Sequence, residues 1–76
     1  MDNEIMAKAR QIRNNRAYIK QLYQLQGWLN LNARGGRLPD LTDTIAAILK
    51  ATGGSVSRTL EIMTFVGKHN NGMNNR

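Results

Sequence analysis

The chain has 76 residues, with eleven Lys and Arg against five Asp and Glu, a net charge of +6 and a pI near 10.6. That describes one small domain with a thin core and an affinity for polyanions: nucleic acid, an anionic membrane or an acidic protein. With no cysteine and one histidine, disulfides are excluded and a structural zinc site is not expected, so stability must come from helix packing or from a second subunit. The longest apolar run, residues 45–49, is far too short to span a membrane, and Met1-Asp2-Asn3-Glu4 is acidic rather than signal-like. A cytoplasmic protein is expected, and the lack of cysteine suits that compartment.

Residues 4 to about 32 read as helix. Ile5, Ala9, Ile12, Ile19, Leu22, Tyr23 and Leu29 follow a three-and-four spacing, and Asp2, Asn3 and Glu4 suit the positive end of a helix dipole. Asn14-Asn15 is a weak point and Gly27 a second, so one long helix and two with a bend are both open. Residues 33–40 form a loop around Gly35-Gly36 and Pro39. A helix capped by Asp40 or Thr42, with Asp43 in its first turn, then runs to about Thr52 with Leu41, Ile45, Ile48 and Leu49 inward. Gly53-Gly54 stops it. Ser55 caps a further helix whose buried face is Val56, Leu60, Met63 and Val66, widened by Ile62 and Phe65, and Gly67 ends it or starts a turn. Residues 68–76 hold a single apolar residue, Met73. No repeat and no strand pattern is present. The expected class is all-α, a small bundle of about three to five helices in one domain, residues 1–76. Residues 1–34 form its basic N-terminal helical region and residues 40–76 its helix-turn-helix region.

The segment Ile48-Leu49-Lys50-Ala51-Thr52-Gly53-Gly54-Ser55-Val56-Ser57-Arg58 sets an apolar helix, a glycine stop and a serine-opened helix end to end. Helices joined that tightly cross steeply, as in a helix-turn-helix. The segment resembles the start of the DNA-binding domain of Fis/NtrC-type regulators. The resemblance implies that residues 56–66 are the first helix of the helix-turn-helix, that Gly67 is its turn, and that residues 69–76 begin the recognition helix with Met73 inward. A repressor-type register is the alternative. Ala46 and Val56 stand ten residues apart, where such units place a small residue and an inward Val. Residues 45–52 are then the first helix and residues 55–65 the recognition helix, with Ser55, Ser57, Arg58, Thr59 and Glu61 facing the groove.

Arg58 can bond bidentately to guanine O6 and N7 or clamp a phosphate. Ser55 and Ser57 lie at a helix N-terminus suited to a phosphate, although Ser55 also serves as a cap. Asn70, Asn71, Asn74 and Asn75 can pair with adenine N6 and N7, in a segment shared with Lys68, His69 and Arg76; a frayed tail is the competing reading. Arg34 and Arg37 flank Gly35-Gly36 in a loop able to lie against a nucleic-acid backbone. Lys8, Arg10, Arg13, Arg16 and Lys20 give the first helix a basic exposed side, either merely solvated or following phosphates without sequence choice. Trp28, Tyr18 and Tyr23 read as core or subunit packing rather than base stacking. The long apolar stripe of the first helix can pair with its own copy in a homodimer. The sequence offers no nucleophile beside a base, no carboxylate pair outside a helix cap and no phosphate loop, so no enzyme, cofactor, metal or small-molecule ligand is expected. The expected function is sequence-specific binding of double-stranded DNA, as a transcriptional regulator or a plasmid or phage stability or partition factor. The alternative is a small phage-type inhibitor or adaptor that docks on an acidic protein surface.

Overall fold

A computed structural model describes residues 2–33, 36 and 38–74, with side chains described as far as Lys68. The protein is all-α, and four helices follow one another: α1 (Asp2–Asn14), α2 (Ile19–Ala33), α3 (Leu41–Ala51) and α4 (Val56–Asn74), with a short 3₁₀ turn at Arg16–Tyr18 between the first two.

The N-terminal helical stretch is thus two helices, and Asn15 is the reason. Its backbone is extended (φ −92°, ψ 117°), and its side-chain carbonyl accepts from Ala17 N–H at 2.9 Å. A short amide that can stand in for the backbone competes with helix from inside the chain. Gly27 breaks nothing and lies within α2. At α3, Asp40 rather than Thr42 is the cap: its carboxylate accepts from Asp43 N–H at 3.2 Å and its carbonyl from Thr44 N–H at 3.0 Å, while Thr42 is buried.

Each helix contributes to one core. Ala9 and Ile12 come from α1, Leu25 and Leu29 from α2, Ile45, Ala46 and Leu49 from α3, and Met63 from α4. The large ones among these bring roughly 1.5–3 kcal/mol each through burial. Their pairing crosses the sequence order: α1 packs chiefly on α3, and α2 chiefly on α4. Three expected core positions face outward instead. Ile19 is 49 %, Tyr23 71 % and Phe65 66 % exposed. The break at Asn15 re-phases α2, so that Leu25, absent from the expected stripe, takes the central place.

Gly67 neither ends α4 nor turns the chain. The helix runs through it to Asn74, and the only described glycines with positive φ are Gly53 and Gly54. The Fis/NtrC-type arrangement, with a turn at Gly67 and a new helix over residues 69–76, is therefore not the one this chain adopts. The physical role of Gly67 is close approach. It is buried against Gln24 of α2, and a Cβ at this position would fall 2.8 Å from Gln24 Cα. Gly67→Ala should therefore destabilise the fold by about 1–3 kcal/mol, because backbone rather than a flexible side-chain end has to move. A urea unfolding midpoint equal to that of the wild type would contradict this packing.

Candidate nucleic-acid interface

The junction of α3 and α4 is built by backbone and then locked by side chains. Gly54 N–H donates to Leu49 C=O at 2.7 Å and Gly53 N–H to Lys50 C=O at 3.2 Å, the paired bonds of a Schellman stop. Both glycines sit at positive φ, 71° and 87°, where a Cβ is penalised. The next residue opens α4. Ser55 Oγ accepts from Arg58 N–H at 3.1 Å, and Ser55 C=O accepts from Thr59 N–H at 3.0 Å.

Thr52 and Thr59 hold the two helices at this turn. Their hydroxyl oxygens are 3.1 Å apart, and Thr59 is fully buried. Thr52 Oγ1 also lies 3.0 Å from Leu49 C=O and 3.3 Å from Ser55 C=O. Thr52 has one hydroxyl hydrogen, so every group is satisfied when it donates to a carbonyl and Thr59 donates to it. This corrects the expectation that Thr59 faces a groove. Lys8 adds a third tie from α1, its Nζ donating to Gly54 C=O at 3.0 Å. Lys8 thus steadies the turn, a role that neither sequence reading of it, a solvated charge or a phosphate follower, includes.

Beyond the turn, α4 presents an outer face. Ser57, Arg58, Glu61, Phe65 and Lys68 are exposed, while Thr59, Met63 and Gly67 are buried. At 3.6 residues per turn, the exposed five span an arc of about 100° opposite the buried line and about 16 Å of helix length. Phe65, assigned by its spacing to the buried face, belongs to the outer one. Ser55 is half-buried, and its oxygen is engaged as an acceptor, which leaves its hydroxyl hydrogen to donate. The first-turn N–H groups of Val56 and Ser57 have no intrahelical partner, as in any helix start.

The remaining candidates divide sharply. Arg34, Arg37, Asn75 and Arg76 lie outside the described residues. His69, Asn70, Asn71 and Asn74 have their backbone in α4, and their side chains lie outside the described part, as does that of Met73. Arg10, Arg13, Arg16 and Lys20 are exposed around the α1–α2 elbow. From Ile5 to Pro39 the chain carries seven basic residues and no acidic one; acids reach this region from other helices, Glu61 of α4 in the hollow with Gln21 and Asp43 of α3 in one with Ile5 and Met6. Gln21, the residue after Lys20, lines a shallow hollow with Leu60, Phe65 and Lys68 of α4, which joins the elbow to the helix that carries Arg58. The amide oxygens of Gln21 and Gln24 are buried and have no hydrogen-bond partner among the described residues, which makes the α2–α4 seam a polar weak point of the fold.

Of the aromatic residues, Trp28 and Tyr18 pack on the core as partly buried groups. Trp28 also lines a cleft of about 500 Å³ with Leu29, Ala33, Pro39, Asp43 and Ala47. This cleft is mostly apolar, with Asp43 its single charged side chain; its other polar residues, Asn32 and Thr44, donate to Trp28 C=O and Asp40 C=O. Among the described residues no group of three His, Cys, Asp or Glu could hold a metal ion, and no helix is long and apolar enough to cross a membrane. Comparison with protein-family models, curated proteins and solved structures gives no match.

The threonine pair gives an asymmetric expectation. Thr52→Ala leaves the Thr59 hydroxyl buried without a partner and should cost about 1–3 kcal/mol. Thr59→Val removes that hydroxyl altogether and should cost less, about 0.5–1.5 kcal/mol. Chemical unfolding of both variants and of the double variant checks the order, which reverses if Thr59 is not the dependent partner.

Proposed function

We propose that the protein binds double-stranded DNA sequence-specifically, with α3, the glycine turn and the first three turns of α4 acting as a helix-turn-helix of the repressor-type register. The observation that carries this reading is the outer face of α4. It begins immediately after a rigid turn, lies opposite the buried line of Thr59, Met63 and Gly67, and bears Arg58 as the third residue of the helix.

In this reading α4 enters the major groove, which is about 12 Å wide. Arg58 pairs with guanine O6 and N7, Glu61 accepts from cytosine N4, and Phe65 meets a thymine methyl group. Ser57 and the free N–H groups at the helix start take a phosphate, with the Ser55 hydroxyl beside them. Arg10, Arg13, Arg16 and Lys20 follow the backbone, adding affinity without sequence choice. Lys68, Arg34, Arg37 and Arg76 belong to the same electrostatic footprint by sequence, while Asn70, Asn71, Asn74 and Asn75 are proposed to pair with adenine in the segment they share with His69. The setting proposed is cytoplasmic, as a transcriptional regulator or a plasmid or phage stability or partition factor. No catalytic step or cofactor is part of the proposal.

An adaptor that docks on an acidic protein would use the same cations without any groove, and titration with mixed-sequence duplex at moderate salt separates the two. The DNA reading expects non-specific binding in the micromolar range that weakens as salt rises; no binding under these conditions overturns it. Once a preferred site has been selected from random duplexes, Arg58→Ala should lose about 1–3 kcal/mol there and relax preference at one base position. Arg13→Ala and Lys20→Ala should instead weaken all sequences alike and lower the salt slope by about one unit each. Mobility shifts across a salt series read both effects.

A further inference from the structure

One face of α2 is left over when the core is complete. Ile19, Tyr23, Gly27 and Leu31 follow each other at intervals of four and form a single ridge, with Ile19 49 %, Tyr23 71 % and Leu31 43 % exposed and Gly27 exposed between them. Gly27 has no use within the fold: a Cβ built there meets nothing within 4 Å. A glycine inside a helix costs about 1 kcal/mol relative to alanine, and here no turn, positive φ or internal contact explains it. Residues 21–33 carry no charge, in a protein with a net charge of +6. The ridge itself is uncharged, and Lys20 stands beside it at one end, in a hollow with Tyr23, Gln24 and Gly27.

We propose that this ridge is a self-association surface, with α2 of one copy crossing α2 of a second copy antiparallel at Gly27. The register carries the argument. Tyr23 and Leu31 stand four residues before and after Gly27, about 6 Å to either side along the helix. A two-fold axis through Gly27 therefore sets Tyr23 of each copy against Leu31 of the other, a large ring on a smaller side chain, twice. The parallel arrangement would oppose two tyrosines instead; like charges meet in either register, Lys20 with Lys20 in the parallel one and Lys20 with Arg34 in the antiparallel one, so the apolar pairing decides between them. Ridges made of residues four apart interdigitate well in helix crossings, and the glycine notch at the crossing point lets the two backbones approach closely, which explains its place there. The same patch on both copies is the self-complementarity that a two-fold dimer requires.

The salt dependence sets this surface apart from nucleic-acid binding. Two copies of charge +6 repel each other, so dimerisation through an uncharged ridge strengthens with salt, whereas phosphate binding weakens. The proposal does not rest on the DNA reading, and its test contains no DNA, so either can fail alone. Sedimentation equilibrium of the full chain at low and high salt should show a monomer–dimer equilibrium that shifts towards dimer as salt rises. Tyr23→Lys and Leu31→Lys should each raise the dissociation constant at least ~30-fold, with unchanged helicity because neither side chain belongs to the core or packs against it. Gly27→Leu fills the notch without disturbing its own fold, since a Cβ there meets nothing within 4 Å, and should weaken the dimer as strongly as Tyr23→Lys, whereas Ala51→Leu, an exposed control on α3, should leave it unchanged. Three results overturn the proposal: a wild-type protein monomeric at millimolar concentration in high salt, dimerisation indifferent to Tyr23→Lys, or dimerisation indifferent to Gly27→Leu.

Discussion

Between Leu49 and Ser55 the chain leaves one helix and enters another with little freedom in how it does so. The two Schellman bonds fix the exit of α3 at Leu49 and Lys50, and Ser55 fixes the entry of α4 through Arg58 N–H. The Thr52–Thr59 hydroxyl pair then spans the turn from inside. Local backbone bonds alone would leave the helices free to pivot about the glycines. A buried side-chain bond across the pivot removes that freedom, because opening it would strand a polar group away from water. The direction of α4, and with it the placement of Arg58, depends on this small cluster.

That dependence is sharpened by how little α3 and α4 otherwise touch. The larger contacts are α1 on α3 and α2 on α4, so the bundle consists of two packed pairs joined by the turn, the shared core and the Asn15 elbow. Lys8 reaches from the first pair to the carbonyl of Gly54 and supports the joint from its other side. In the second pair, Gly67 brings α4 down onto Gln24, and the steric demand is high there because backbone meets backbone. A chain of this size keeps little stability in reserve, so these few close contacts matter more than they would in a larger core.

Much of this was legible beforehand, and where it was not the reasons are specific. Gly53-Gly54, Ser55 and Asp40 act as punctuation whose chemistry is local, and local chemistry can be read from a sequence. Asn15 was visible as a weakness, but whether it breaks a helix depends on whether the segments on either side find separate packing partners, and they do. That single break altered the phase of the apolar stripe, placing Leu25 inside and Ile19 and Tyr23 outside. Gly67 was misread because glycine signals both turns and close approach; only the position of Gln24 on another helix separates the two. Thr59 offered no signal of burial, since a threonine is buried only when a hydroxyl acceptor waits for it, and that acceptor lies across the turn. Of the candidate site, Arg58, Ser57 and Glu61 lie on one exposed face, Thr59 and Ser55 do not share it, and Phe65, assigned to the core by its spacing, joins the first three.

The charge distribution separates two kinds of surface on one small body. The elbow and the outer side of α4 hold cations, with Glu61 the acid among them on α4, and the stretch from Ile5 to Pro39 carries no acid of its own. The outer ridge of α2 begins at this elbow yet loses its charge after Lys20. A protein evolving only to coat a polyanion would gain from lysines at Tyr23, Gly27 and Leu31, which are exposed and make few demands on the fold. Two large apolar side chains and a helix-weakening glycine are poor choices for solvent and poor choices for phosphate. They suit a surface that meets another uncharged surface closely. Such a face can operate at the ionic strengths where the cationic face is weakest, so the two surfaces need not compete for the same partner.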